Sequence, residues 1–219
     1  MTTRIYFDNE LDELRGQISQ LVTLTAKQIT DAIEALGQQD LELANAVIVG
    51  DLALNDLQAA IEEKCMFLIA TQQPFARDLR KIVAGFKISI YLERMGDLSV
   101  DIAKFAIRIG KQTLIKPLVD VPRMCVMVKQ MIANGLEAYI SEDESAAREM
   151  SNLDDGVDHL YNQVFRELLV LMMQDPTTIT QATYLIFTAR FLERMGDYCT
   201  NIAEEIVYIV SGKRSDLNQ

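Results

Sequence analysis

The chain of 219 residues is 49% apolar and 24% charged, enough hydrophobic material for one core or two small ones, which excludes a disordered chain. With 21 basic against 32 acidic side chains the formal charge is −11, so nonspecific attraction to nucleic-acid phosphates or anionic lipid is disfavoured and neither is expected as a partner. The longest apolar run, Leu168 to Met173, is far short of a bilayer span, so no membrane insertion is expected.

No apolar stretch follows the first basic residue, Arg4, and the sequence turns acidic at Asp8, Glu10, Asp12 and Glu13, so no leader is expected. Leu11, Leu14, Ile18 and Leu21 then step by three and four residues, as the buried stripe of a helix does, and Leu36-Gly37 supplies a stop. The periodicity predicts helices over roughly 7–36, 40–71 and 76–110, a linker from Lys111 to Asp120, and further helices over 119–140, 143–173 and 177–211. Asp40 is placed to cap the second helix, and Ser141 with Glu144 has capping-box spacing before the fifth. All four prolines fall at breaks between these segments. Cys65, Cys125 and Cys199 lie inside apolar-periodic stretches without paired spacing, which reads as reduced core thiols in a cytoplasmic protein. Strand signals are absent, and long helices joined by short turns predict an all-α protein of antiparallel bundles.

The chain repeats itself. Leu92-Glu93-Arg94-Met95-Gly96-Asp97 recurs letter for letter as Leu192-Glu193-Arg194-Met195-Gly196-Asp197, and Asp101-Ile102-Ala103 is answered by Asn201-Ile202-Ala203. Upstream, Asp51 and Asn55 correspond to Asp154 and Asp158, and Pro74 to Pro176. The unit is about one hundred residues of three helices, giving repeats over 1–112 and 113–219.

Glu93, Asp97 and Asp101 are spaced by four residues, which puts neighbouring carboxylates about 5–6 Å apart on one helix face. Such a stripe repels itself unless cations neutralise it, and hard cations take several oxygen ligands. Folding the second and third helices about the turn near Pro74 sets Asp51 level with Asp97 and Asn55 level with Glu93. In the second repeat Asp154 then faces Asp197, and Asp158 faces Glu193. Each repeat thus offers a candidate cation site. Asp51, Asn55, Glu93, Asp97 and Asp101 form one; Asp154, Asp158, Glu193, Asp197 and Asn201 form the other. With His159 the sole histidine, oxygen-only ligation favours Mg, Ca, Mn or Fe, with Zn on carboxylates also open. The plain alternative is an acidic, solvated helix face. Arg94 and Arg194 are expected to pair with nearby acids, Gly96 and Gly196 to permit close helix packing, and the methionines to fill the core.

The doubled Leu-Glu-Arg-Met-Gly-Asp motif, with Gln73-Pro74-Phe75-Ala76-Arg77-Asp78-Leu79-Arg80 opening the third helix, resembles the PhoU family nearly end to end. The resemblance implies two similar three-helix bundles, a homodimer, and divalent or trivalent metal ions on the acidic motifs. It also implies a negative regulator linking the Pst phosphate ABC transporter to a phosphate-sensing histidine kinase, without catalysis of its own. Asn55 and Asn201 depart from the fully acidic pattern, so occupancy or affinity could differ between sites. A metal-dependent phosphoester hydrolase and a purely structural helical adaptor are the competing readings.

Overall fold

The computed structural model describes residues 2–217, and within them the fold is six α-helices with no strand. The first three, α1 (Thr2–Gln38), α2 (Leu41–Gln72) and α3 (Ala76–Ile109), pack on one another as one bundle; α4 (Asp120–Ser141), α5 (Glu144–Gln174) and α6 (Ile179–Ser211) form the second. The bundles join through α3 against α6 and α1 against α4. The two repeats therefore abut along equivalent helices, and α2 and α5 stay on the outside.

Helix ends follow local chemistry, with three departures from the sequence reading. Helix α1 begins at Thr2 and not at residue 7, because the segment upstream of the buried Phe7 has neither proline nor glycine to break the helix. It also runs through Gly37. The left-handed stop is Gln39, at a φ of 56°, and Asp40 then accepts the backbone N–H groups of Glu42 and Leu43 as N-cap of α2. The equivalent junction in the second repeat uses Glu142, at a φ of 54°, and Asp143, which caps α5 through the N–H groups of Ser145 and Ala146. Ser141, expected as the cap, instead donates to the Glu137 carbonyl within the last turn of α4 (2.7 Å). Ser141 is still inside α4 with its hydroxyl engaged, whereas Asp143 is free to accept two of the orphan donors of α5, so the aspartate sets the boundary. A 3-10 turn, Pro176–Thr178, leads into α6.

The core is continuous across both bundles. Small residues on α3 and α6 let the central helices close up. A side chain at Gly85 would meet Ile18 at 3.0 Å and the Tyr139 hydroxyl at 3.2 Å, which places a residue of α4 against the first bundle. Cys65, Cys125 and Cys199 are free and buried, and burial pushes the first two thiols up to about 12 and about 11.

Polar contacts lock the repeats together. Glu142 receives Arg15 (2.9 Å), Arg77 (2.5 Å) and Lys81 (2.5 Å) from α1 and α3. Glu205 on α6, 3% exposed, receives Lys87 (2.7 Å) and Arg214 of the carboxyl-terminal tail (2.9 Å). Arg80 donates Nε and Nη2 to the Ile209 carbonyl at 3.3 and 3.2 Å, sealing the end of α6 from the first repeat. The segment between α3 and α4 is held at its start by Gln39 on the Gly110 carbonyl (2.8 Å) and midway by Gln181, which accepts the Ile115 N–H (2.6 Å). No helix among the described residues is long and apolar enough to cross a membrane.

Candidate metal centres in the two repeats

The hairpin register expected from the sequence is observed. Cys65 on α2 reaches the Ile82 carbonyl on α3 at 3.6 Å, and one turn of chain at Gln73–Phe75 separates the two helices. A side chain on Gly96 would fall 2.9 Å from Leu54, so α2 and α3 approach closely at the level of Asp51 and Asn55. A side chain on Gly196 would fall 2.5 Å from Asp154 Oδ1, so in the second repeat the facing acid itself lies in the glycine's cradle. Both motif glycines thus serve close packing, as expected.

In the first repeat Asp51 is held from two sides, by Gln28 Nε2 of α1 on Oδ1 (3.0 Å) and by Asn55 Nδ2 on Oδ2 (3.0 Å). Burial raises the Glu93 carboxyl above its ordinary value, with Asp97 and then Asp51 adding to the rise. Asp97, at the open rim, is raised by burial, then by Asp51 and Asp101. These mutual effects place Asp51, Glu93 and Asp97 in one field. Asp101 lies at its far end, where Lys104 neutralises it (2.9 Å).

The second repeat is drier. Asp154, receiving the Thr200 hydroxyl on Oδ2 (3.1 Å), is pushed up to about 6, chiefly by burial, with Asp197 and Asp158 adding to the rise. Glu193, only 8% exposed, is pushed up to about 7 by burial and then by Asp197. Asp197 and Asp158 are raised as well, burial first in each case, with Asp158 contributing to Asp197 and Asp155 to Asp158. Asn201 is half-buried one helical turn beyond Asp197. His159 is exposed beside Asp158.

The donor chemistry suits a hard cation. All ten residues offer oxygen, and three buried oxygens in the two clusters lack any hydrogen-bond partner: Asn55 Oδ1, Asp154 Oδ1 and Glu193 Oε2. Each belongs to a group that costs free energy to bury unsatisfied. Among the described residues no three acids stand close enough to enclose an ion in their present rotamers, so ligation would require side chains of each cluster to move.

Three participants were not singled out by the sequence reading. Gln28 orients Asp51, Thr200 orients Asp154, and Arg190 pairs with Glu193. Arg190 could have been found, since it sits three residues before Glu193 on the same helix. Gln28 comes from another helix and carries no local signal. The expected acid partners of Arg94 and Arg194 are not seen: neither arginine makes an ion pair among the described residues, and Arg194 donates to the Tyr198 hydroxyl (3.1 Å).

Fold and site together define a tandem-repeat helical protein with one acidic cluster on the second hairpin of each repeat, α2–α3 and α5–α6. A model described as "PhoU domain" matches residues 18–106 and again 121–206. The chain is 40% identical over 217 residues to the phosphate-specific transport system accessory protein PhoU homolog of Clostridium acetobutylicum, covering 99% of both chains. It is also 40% identical over 208 residues to the Caulobacter vibrioides homolog, covering 94% of this chain and 90% of that one. The crystal structure of PhoU from Pseudomonas aeruginosa superposes with a TM-score of 0.90 at 35% identity, covering 94% of this chain and 100% of that one. That of the phosphate transport system regulatory protein PhoU from Streptococcus pneumoniae superposes at 0.89 and 31% identity, covering 96% and 99%. The chain belongs to the PhoU family.

Proposed function

We propose that the chain is a cytoplasmic, non-catalytic negative regulator of phosphate uptake. In this reading it forms a homodimer and couples a phosphate ABC transporter to a phosphate-sensing histidine kinase. The observation that carries it is end-to-end similarity to proteins named as accessory to phosphate-specific transport. Divalent or trivalent cations are held by Asp51, Asn55, Glu93, Asp97 and Asp101 in the first repeat and by Asp154, Asp158, Glu193, Asp197 and Asn201 in the second. The unpartnered oxygens of Asn55, Asp154 and Glu193 support that role. A bound cation would supply charge neutralisation there, drawing the facing carboxylates of each hairpin together. The residues themselves do the rest: Gln28 and Thr200 fix Asp51 and Asp154 in orientation, and Gly96 and Gly196 keep the hairpin closed.

Deleting the gene should derepress phosphate-starvation genes in phosphate-rich medium, and the wild-type gene should restore repression. A complementing copy carrying Asp97→Asn and Asp197→Asn should lose bound metal and part of the repression. Starvation genes that stay silent in the deletion strain would refute the regulatory reading; full repression by the double variant would refute the metal's share in it.

A further inference from the structure

The two acidic clusters exchange Asn55 for Asp158 and Asp101 for Asn201, which leaves each with four acids, but only the second has an arginine paired with its motif glutamate. The repeat that aligns Glu93 with Glu193 aligns Ile90 with Arg190. The Arg190 guanidinium pairs with Glu193 Oε1 and lies over the Tyr161 ring at 5.8 Å, so α6 and α5 hold it from two sides. It also acts on Asp158 and Asp197, opposing the rise of both carboxyls. Its side chain is 44% exposed, so it has room to leave. Glu193 is more than nine-tenths buried and its second oxygen, Oε2, has no partner. In the first repeat Glu93 has no ion pair among the described residues. The cations that act on that cluster are Arg94, which opposes the rise of Glu93 without pairing with it, and Lys104, which is paired with Asp101 at its outer end.

We propose that Arg190 is a tethered counter-cation of the second cluster, which a divalent ion must displace from Glu193, so that the two repeats bind cations with different affinity. This rests on the metal reading above. A guanidinium beside a carboxylate lowers the potential that attracts a second cation, and the effect is moderated by solvent at a half-exposed position. Its removal therefore tightens the second site while the first, which has Ile90 at the aligned position, is untouched. Lysine keeps the charge and loses only the planar fork, so it separates electrostatics from packing.

The test is titration of EDTA-stripped full-length protein with Mn²⁺, followed by calorimetry and by the loss of free-Mn²⁺ paramagnetic signal. The wild type should show two classes of site. Arg190→Gln should tighten one class by about three- to tenfold and leave the other unchanged. Arg190→Lys should stay within about twofold of wild type, and Glu193→Gln should abolish the class that Arg190→Gln tightens. Unchanged or weaker binding by Arg190→Gln, or tightening by Arg190→Lys as large as by glutamine, would overturn the proposal while leaving the metal reading intact. A wild type that takes up no Mn²⁺ would overturn both.

Discussion

Glu193 and Asp154 show how far burial can carry a carboxyl from its ordinary behaviour. Their folded values of about 7 and about 6 lie above the ordinary 4.5 and 3.8, so between those limits the folded chain holds protons that the unfolded chain releases. The stabilisation this gives is complete below the unfolded values and is lost as the pH rises through about 6 and then about 7. Metal-free protein should thus melt at a lower temperature near pH 8 than near pH 5. The Asp154→Asn, Glu193→Gln double variant should flatten that dependence, as scanning calorimetry would show. By the proposed reading Mn²⁺ raises the melting temperature near pH 8 and has little effect near pH 5, because a cation needs ionised carboxylates. Gly196 is equally exacting. Alanine is the better helix former by about 1 kcal/mol, yet its Cβ would stand 2.5 Å from Asp154 Oδ1. Gly196→Ala should therefore cost about 1–3 kcal/mol in urea unfolding and weaken cation uptake by the second repeat. The acids of both clusters were legible in the sequence, because helical spacing and the doubled motif are local signals. The partners that orient them, Gln28 and Thr200, were not, since hydrogen bonds across helices leave no periodic trace.

At the scale of the helix, the two repeats solve the same junction alike: a left-handed residue, Gln39 or Glu142, followed by an aspartate cap, Asp40 or Asp143. Asp143→Ala should destabilise the chain by about 0.5–2 kcal/mol in chemical denaturation, whereas Ser141→Ala should change stability little. The misplaced cap shows the limit of motif reading. Ser141 and Glu144 have the right spacing, but Ser141 was already inside α4, and a neighbouring aspartate competes better for the free N–H groups. The helices themselves were readable to within a few residues except at the start of α1. There the helix continues upstream of Phe7, where Ile5 and Tyr6 are exposed and no buried stripe marks it.

At the scale of the whole molecule, the repeat predicted two bundles but not how they meet. The junction is built from singular residues: Tyr139 against Gly85, Glu142 with its three cations, Lys87 and Arg214 on Glu205. The Glu142 carboxyl is held below its ordinary 4.5, since its pairs with Lys81 and Arg77 outweigh the effect of burial. Stability from these pairs is present above the unfolded value and is lost as the pH falls through the folded one. Glu142→Gln should therefore cost about 1–2 kcal/mol near pH 7 and little in acid, a difference that urea unfolding at both pH values would register. Within Gln73 to Arg80, the stretch that accompanies the doubled motif in the family resemblance, Arg77 and Arg80 both direct their donors at the opposite repeat, to Glu142 and to the Ile209 carbonyl. The halves that arose as copies have consequently ceased to be interchangeable. A gene rearranged to encode two first halves or two second halves would preserve every motif and lose the complementary seam, leaving guanidinium groups with nothing to clasp.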